Sequence, residues 1–312
     1  MKFQNPHDRS SAVRRLLVAA VLAGSVLTAA ACSSPDSPVS SPASASSPIA
    51  SPSASAQPGQ ADARELLAQA REAAKTMKNY EFKLRMTQKL KTGTAANDSD
   101  VSVDMEGRAE LGPLKLDQQV SSVTDGQAYS IRAILVPDAY YMYDPEFEEW
   151  SKTPKEQTAE IAKTLSDFQV DPGKALAAVA ALGGGLKSEE AADGDKIAFS
   201  GNGSEAKAFL DTVLESTLDL SGMDPKIRDS IKLSSLNVDV ELDPASHLPT
   251  SYRIDSVMTV EYEAGKPSTL TQSFSGSYAK INAAAPVTVP EAAKEAPELD
   301  PSELDTGSAQ FD

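Results

Sequence analysis

The feature that most constrains the fold is a strict alternation of apolar and polar residues in several separate segments. These read YEFKLRM (80–86), VSVDMEGRAEL (101–111), LNVDVEL (236–242) and YRIDSVMTVEY (252–262), and LTQSFSGSY (270–278) keeps a weaker form. Successive side chains of a β-strand point to opposite faces, so each segment has one apolar and one polar face. This pattern is typical of antiparallel strands in a sheet that is covered on one side only.

Helical spacing of apolar residues marks the start and the middle of the same region. The segment DARELLAQAREAAKTMKN (62–79) has an apolar stripe, and Asp62 is predicted to cap its first turn. Four later segments have helical spacing with Pro or Ser near their starts: PKEQTAEIAKTLSDF, DPGKALAAVAALGGG, SEAKAFLDTVLEST and DPKIRDSIK. The sequence therefore predicts an α+β fold with one domain over residues 62–290. We expect a curved antiparallel β-sheet, a half-barrel, wrapped round helices on its concave face.

The N-terminal segment is predicted to be an export signal. Residues 1–31 combine a basic start with the apolar run LLVAAVLAGSVLTAA (16–30), which is typical of a secretory signal peptide. Arg14 and Arg15 leave the twin-arginine route open beside general secretion. We therefore expect the mature protein on the extracytoplasmic face of the cell membrane.

The only cysteine of the chain, Cys32, follows this signal directly. Its position is typical of a bacterial lipobox, so we expect Cys32 to be lipidated and to anchor the protein to the membrane; Ala29 stands where that motif usually has Leu. Residues 33–60 hold 11 Ser and 6 Pro in 28 positions, a composition that cannot bury enough apolar surface to fold. Residues 32–61 are interpreted as the lipidated cysteine and a disordered tether.

The charge of the chain excludes one class of partner. The formal net charge is −16 at pH 7, and removal of residues 1–31, with four basic residues against one acid, makes the mature chain more acidic. Such a surface repels phosphate backbones, so we expect no nucleic-acid binding. Residues 291–312, with seven acidic residues against Lys294, are predicted to form a disordered acidic tail.

The titratable residues offer little to catalysis. His247, the one histidine beyond residue 31, stands in the segment DPASHLP (243–249), where an exposed turn residue is a simpler interpretation than a general base. The glycines of GGGLKS (183–188) are similar to a phosphate-binding loop, but Leu186 stands where that motif needs Gly, so they are interpreted as a helix end. We expect no enzymatic activity, no catalytic residue, no cofactor and no metal site.

Aromatic residues are dense in the segment YYMYDPEFEEW (140–150). The chain has eight tyrosines, eight phenylalanines and one tryptophan, and five of these residues lie in these eleven positions. We interpret Tyr141, Tyr143 and Trp150 as a structural cluster that pins a hairpin and closes one end of the barrel. A rim that contacts a ligand is the alternative.

Three motifs, taken in order, resemble a family of bacterial lipoproteins. They are Tyr143-Asp144-Pro145 followed by Trp150, Leu242-Asp243-Pro244 followed by Leu248-Pro249, and Tyr278 followed by Asn282 and Val287-Thr288-Val289-Pro290. Their order and spacing are similar to those of half-barrel lipoproteins of the superfamily that includes the LolA carrier and the LppX/LprG group of actinobacteria. The resemblance covers nearly all of residues 62–290.

The resemblance implies a hydrophobic cavity, between the concave face of the sheet and the helices, that carries or senses lipids or acyl chains. The residues expected to line it are Phe82, Met86, Met105, Tyr252, Ile254 and Met258, with core packing as the alternative for each. It implies a membrane-anchored lipoprotein that binds a lipid or a lipoprotein as a carrier or chaperone of the cell envelope, and we expect a monomer. The alternative function is an envelope interaction or sensor module with a filled core and no lipid ligand.

Overall fold

The computed structural model describes residues 60–93, 97–191, 194–218, 224–263 and 265–299. The predicted signal peptide, Cys32 and nearly all of the predicted tether lie outside these residues. The strands are β1 (Asn79–Lys91), β2 (Ser99–Glu110), β3 (Lys115–Thr124), β4 (Gln127–Val136), β5 (Ala139–Asp144), β6 (Glu149–Thr153), β7 (Lys187–Ala191), β8 (Gly194–Gly201), β9 (Lys232–Leu242), β10 (Pro249–Glu263) and β11 (Lys266–Ala279). The helices are α1 (Gln60–Ala74), α2 (Lys155–Lys163), α3 (Asp167–Val170), α4 (Pro172–Ala180), α5 (Ser204–Leu218), α6 (Pro225–Ser230) and α7 (Glu291–Lys294).

The described strands form one open antiparallel sheet. Their order is β6-β5-β4-β3-β2-β1-β11-β10-β9-β8-β7, so the first and last long strands of the chain meet at the centre. There β1 and β11 pair with Phe82 opposite Tyr278. One antiparallel eleven-stranded sheet with several helices is consistent with a curved half-barrel.

The two faces of the sheet differ as the alternation predicts. One face packs against the helices, and a single core cluster joins strand residues such as Leu84 and Val238 to helix residues such as Leu67 and Leu210. We call this the inner face. The opposite, outer face of β1 and β2 carries cross-strand ion pairs, for example Lys83–Glu106 at 3.6 Å, Arg85–Asp104 at 3.2 Å and Lys89–Asp100 at 3.1 Å. These exposed pairs stabilise the fold little, at most about 1 kcal/mol each.

The structure adds strands that the alternation did not predict. β3 (KLDQQVSSVT) buries Asp117 and Gln118, so its polar residues conceal the strand pattern. β7 and β8 form a hairpin between helices α4 and α5, inside the segment that was predicted to be only helical. In β8 only Ile197 and Phe199 are buried apolar residues, and two such positions are too few to be recognised as an alternating pattern.

The C-terminal segment corrects the predicted disordered tail over residues 291–299. Ala293 of α7 and Leu299 are buried, and residues 297–299 run parallel to β6. There the Lys152 amide donates to the Pro297 carbonyl at 3.0 Å, and the Leu299 amide donates to the Lys152 carbonyl at 2.8 Å. The sequence did not predict this packing, because the buried apolar residues of the segment are few and are separated by acidic and other exposed residues. The remainder of the predicted tail, 300–312, lies outside the described residues.

Helix α1 and the other helices are short or strongly polar on one side. Across the part of the chain that the structure describes, we find no helix with both the length and the apolar character that a membrane crossing requires.

Candidate functional site

Helix α3 brings an aromatic ring onto the inner face of the sheet. Phe168 is 5% exposed, and its ring centroid lies 4.5 Å from that of Tyr252 and 6.0 Å from that of Phe274. Tyr278 stacks beside Tyr252 at 5.9 Å and meets Tyr80 edge-on at 5.4 Å. These separations are those of favourable aromatic pairs. We call Tyr80, Phe168, Tyr252, Phe274 and Tyr278 the inner aromatic cluster.

A glycine allows this close packing. The ring of Tyr252 lies directly over Gly276 of the neighbouring strand, where a Cβ atom would overlap the tyrosine hydroxyl oxygen. A side chain at position 276 would therefore displace Tyr252 from its place beneath Phe168.

Two tyrosine hydroxyls hold the backbone of α3. The Tyr80 hydroxyl donates to the Gln169 carbonyl at 2.7 Å, and the Tyr278 hydroxyl donates to the Phe168 carbonyl. In a helix of four residues, the carbonyls of Phe168 and Gln169 have no helical partners, so these side chains satisfy them. Burial raises the pKa of both tyrosines well above the ordinary value, which keeps the hydroxyls protonated and able to donate.

An amide pair forms a third attachment of α3. The Gln169 side-chain amide donates to the Gln118 side-chain oxygen of β3, and both residues are buried. The sulfur of Met105 lies 4.0 Å from the same Gln169 nitrogen. Helix α3 therefore sits on the apolar face through a small set of specific polar contacts.

The local sequence explains why α3 is short. Pro172 begins α4, and the Asp171 side chain accepts a hydrogen bond from the Lys174 amide at 3.0 Å as the N-cap of that helix. The proline that starts α4 ends α3, because the residue before a proline is disfavoured in helical conformation. Lys174 also pairs with Asp167 at 3.0 Å, which ties the two helices together.

An open groove of about 450 Å³ reaches Phe168 from the surface. Its apolar lining consists of Leu165, Phe168, Ala178 and Val213, and its charged lining includes Lys163, Asp167, Lys174 and Asp211. Behind the ring, between Phe168, Leu176 and Tyr252, the free volume is only about 10 Å³, about one water molecule. Phe168 thus separates an open groove, lined by both apolar and charged side chains, from a filled space on the inner face.

The six residues expected to line a cavity all lie on the inner face. Five are buried to within 5% exposure: Phe82, Met86, Tyr252, Ile254 and Met258. Met105 is half-buried and packs against the same core. All six belong to the larger core cluster or pack against it, and Tyr252 and Met105 also contact α3. Four residues of the site were not predicted as site residues: Phe168, Tyr80, Gln118 and Gln169. The available signals were the place of Tyr80 on the apolar face of the alternating segment 80–86 and a glutamine among the core positions of β3.

The aromatic segment 140–150 lies elsewhere. Tyr141, Tyr143 and Trp150, which we call the outer aromatic cluster, are on the outer face, and Tyr143 and Trp150 lie 5.2 Å apart between ring centroids. Tyr141 is buried beside Val287 and Ala293, and Trp150 is half-buried against the same small cluster. The predicted hairpin of β5 and β6 is present, but its aromatic residues cover the outer face and anchor the C-terminal segment instead of closing a barrel end.

A charged group adjoins the outer aromatic cluster. The Asp117 carboxylate is buried. It accepts hydrogen bonds from Arg108 at 2.6 Å and from Arg132 at 2.9 and 3.0 Å. The guanidinium of Arg132 also lies 5.7 Å from the Trp150 ring centroid, within range of a cation–π contact.

The residues considered for catalysis lie apart from these groups. His247 occupies the turn between β9 and β10, where its amide donates to the Asp243 carbonyl at 2.8 Å. Gly183–Gly185 form a short 3-10 turn after α4. Among the side chains that the structure describes, no three His, Cys, Asp or Glu residues are grouped closely enough to hold a metal ion.

Comparison with known proteins gives one family match. Residues 62–298 match the model of a family described as a family of unknown function, DUF6612. No curated protein matches the chain.

Solved structures similar to this chain include two mycobacterial proteins. LprF from Mycobacterium bovis is 13% identical over 74% of this chain and 97% of its own, with a TM-score of 0.36. The lipoprotein LppX from Mycobacterium tuberculosis is 14% identical over 74% of this chain and 99% of its own, with a TM-score of 0.35. At these values the function has to be inferred from the residues of this chain.

Proposed function

The chain belongs to the DUF6612 family, whose function is unknown, and we propose that it is a membrane-anchored lipoprotein that binds a lipid or acylated ligand. The ligand would lie between helix α3 and the apolar inner face of a half-barrel sheet. The protein would act as a carrier or chaperone at the extracytoplasmic face of the cell membrane. The role is one of binding, and we assign it no catalysis.

The observation that supports this function is the position of Phe168. Its ring lines the open groove on one side and covers Tyr252 and Phe274 on the other. An acyl chain that displaced this ring would pass from the groove onto the apolar face. Because the ring and the chain are both apolar, the exchange keeps that face covered and costs little in hydrophobic free energy.

The way in which α3 is attached suits such an exchange. The helix has four residues and rests on the sheet through one ring, two tyrosine hydroxyls and one amide pair. Local opening of a short, sparsely attached segment requires much less free energy than unfolding of the sheet. Met105, at the edge of α3, can adapt its side chain to an irregular apolar ligand.

The proposed anchor is tested at Cys32. A thioether-linked diacylglycerol with a further acyl chain would provide stable membrane attachment. We expect Cys32→Ser to release the protein from the membrane or to leave an unprocessed precursor. Fractionation followed by intact-mass measurement detects both results. Normal processing and unchanged membrane attachment would contradict the lipoprotein assignment.

The proposed ligand site is tested by filling the groove. Ala178→Trp places a large side chain among Leu165, Phe168 and Val213, and we expect it to lower the binding of a fluorescent fatty acid by the full-length protein. Ala177→Trp is the matched control, because Ala177 is on the same helix, is also half-buried and is outside the groove lining. Equal binding by the two variants would locate the ligand elsewhere.

The second candidate is an interaction or sensor module without a lipid ligand. It is favoured by the free volume of only about 10 Å³ behind Phe168, which describes a filled core. Native mass spectrometry of the purified protein separates the two functions, because a carrier is expected to retain lipid. A ligand-free mass together with no fatty-acid binding would support the interaction module.

A further inference from the structure

The inner aromatic cluster carries polar groups that an acyl chain alone cannot satisfy. The hydroxyls of Tyr80 and Tyr278 donate to two consecutive carbonyls of α3, those of Gln169 and Phe168. Both tyrosines are buried, at 0% and 9% exposure. If α3 is displaced, both donors lose their acceptors inside an apolar environment. An unpaired buried donor costs free energy, so a ligand that replaces α3 has to supply acceptors.

The required acceptors are neutral. Asp171 lies close enough to raise the pKa of Tyr80 after the larger effect of burial, so a further negative charge at this hydroxyl would be repelled. Both hydroxyls remain protonated donors at every physiological pH, because burial raises their pKa values. Carbonyl oxygens of uncharged esters fit these donors in the same way as the peptide carbonyls do.

Displacement of α3 also exposes one acceptor. In the structure, the side-chain oxygen of Gln118 accepts a hydrogen bond from the Gln169 side-chain amide. This hydrogen bond breaks when α3 moves away. A hydroxyl group on the ligand would restore it. The inner face therefore offers two hydroxyl donors and one amide acceptor, which are complementary to two carbonyls and one hydroxyl.

From this complementarity we infer that the ligand is a neutral ester-linked glyceride of the diacylglycerol type, whose two ester carbonyls accept the hydrogen bonds that Tyr80 and Tyr278 now donate to α3. Its free hydroxyl would donate to Gln118. The carbonyls of Phe168 and Gln169 thus stand in for the ligand when the site is empty. This inference rests on the proposed lipid-binding function and specifies the chemistry of its ligand.

The experiment compares two lipids that differ only in the carbonyls. Full-length protein is placed in vesicles of dialkyl phosphatidylcholine, whose ether linkages offer no ester carbonyl. The vesicles contain either a diacylglycerol or the matching dialkylglycerol, each with the same photoactivatable chain. The crosslinked fraction of the protein is measured by mass spectrometry, and the crosslinked peptides are expected to include α3 and its partners on β10 and β11. We expect the diacylglycerol to crosslink about tenfold more, since each unpaired donor weakens binding substantially.

Substitutions assign the preference to the two hydroxyls. Tyr80→Phe and Tyr278→Phe should each reduce the preference for diacylglycerol while crosslinking of the dialkylglycerol is kept. Tyr262→Phe is the matched control, because Tyr262 is a half-buried tyrosine of β10 that packs against the same core and donates to neither α3 carbonyl. Thermal unfolding of each variant checks that the fold is retained, and if a variant does not fold the comparison of the two lipids on the parent protein decides.

The outcomes separate the inference from the proposed function. Equal crosslinking of both lipids would overturn the inference and leave the lipid-binding function in place. No crosslinking of either lipid would overturn both. A preference for diacylglycerol that Tyr80→Phe and Tyr278→Phe leave unchanged would also overturn the assignment to these donors.

Discussion

The two aromatic clusters of the molecule differ in how the chain assembles them. The outer cluster comes from residues 141–150, a hairpin in which neighbours along the chain meet across β5 and β6. The inner cluster comes from β1, α3, β10 and β11, so its residues range from position 80 to position 278. The cluster that is dense in the sequence is the more exposed, and the cluster that is dispersed in the sequence is the more buried. Aromatic density along the chain is therefore a poor guide to where aromatic side chains are buried in this fold.

The clusters also differ in what surrounds them. The outer rings lie beside the ion group of Asp117, Arg108 and Arg132 and beneath the C-terminal segment. These partners are part of the folded chain itself, which favours a structural role. The inner rings lie at the end of an open groove and carry hydroxyl donors whose acceptors belong to a four-residue helix. This is the arrangement that the proposed ligand would replace.

The largest loss of stability is expected for Phe168→Ala in the inner aromatic cluster. Loss of this buried ring should lower the free energy of unfolding by about 3–5 kcal/mol, the usual cost of truncating a core aromatic residue. Chemical denaturation measures the change. Phe147→Ala is the control, because Phe147 is 46% exposed in the β5–β6 turn and should change stability by less than about 0.5 kcal/mol. Similar losses in both variants would mean that burial of the Phe168 ring is not the source of the lost stability.

An intermediate effect is expected for Asp117→Asn on the outer face. Burial acts to raise the pKa of Asp117, but the hydrogen bonds from Arg132 and Arg108 outweigh it and hold the pKa below its ordinary value. The charged group therefore stabilises the fold above the pKa of the unfolded chain, near pH 4, and this contribution is lost as pH falls through the lower folded pKa. We expect a loss of about 1–3 kcal/mol at neutral pH.

The pH dependence supplies the control for that prediction. Stability of the parent and of Asp117→Asn should converge as the pH falls below about 4, the pKa of an aspartate in an unfolded chain, and through the lower folded pKa of Asp117. Denaturation curves at several pH values give the two profiles. A constant difference over the whole range would mean that the charge of Asp117 is not what stabilises the outer cluster.

The smallest effect is expected for Trp150→Ala. Because the ring is half-buried, its loss should cost about 1–2 kcal/mol, below the ~3–5 kcal/mol of a fully buried aromatic residue. Trp150 is the only tryptophan, so the emission spectrum of the parent reports its exposure directly. An emission typical of a buried indole, with a loss as large as that of Phe168→Ala, would restore the interpretation of Trp150 as a barrel plug.

The strands that the sequence predicted are those with long alternating patterns. β1, β2, β9 and β10 place an apolar residue at nearly every second position, and the structure has strands there. β3 was not predicted because its inward residue Gln118 and its outward residue Asp117 are both polar and buried. Their partners, Gln169 and the two arginines, are distant in the sequence, so the compensation that permits their burial is not visible locally.

The site could be predicted only in part for a similar reason. Tyr252 and Met105 were predicted as site residues and follow the alternation. Tyr278 ends the weakly alternating segment 270–278 and belongs to a family motif, but it was not predicted as a site residue. Phe168 lies at the end of a segment interpreted as one helix, and its role depends on the break between α2 and α3 and on rings from β10 and β11. Tertiary contacts of this kind define the site, and no periodicity of a single segment records them.

The pairing of residues 297–299 with β6 has a consequence for self-association. β6 is the last strand of the sheet on that side, and an uncovered strand edge can recruit a strand from another molecule. The Pro297 carbonyl and the Leu299 amide occupy both backbone groups of Lys152. Residues 297–299 follow β11 in the chain, so this protection forms only after all eleven described strands have been synthesised. Chains that are incomplete or cleaved before residue 297 would expose this part of the β6 edge, so they would be more prone to aggregate than chains that contain residues 297–299.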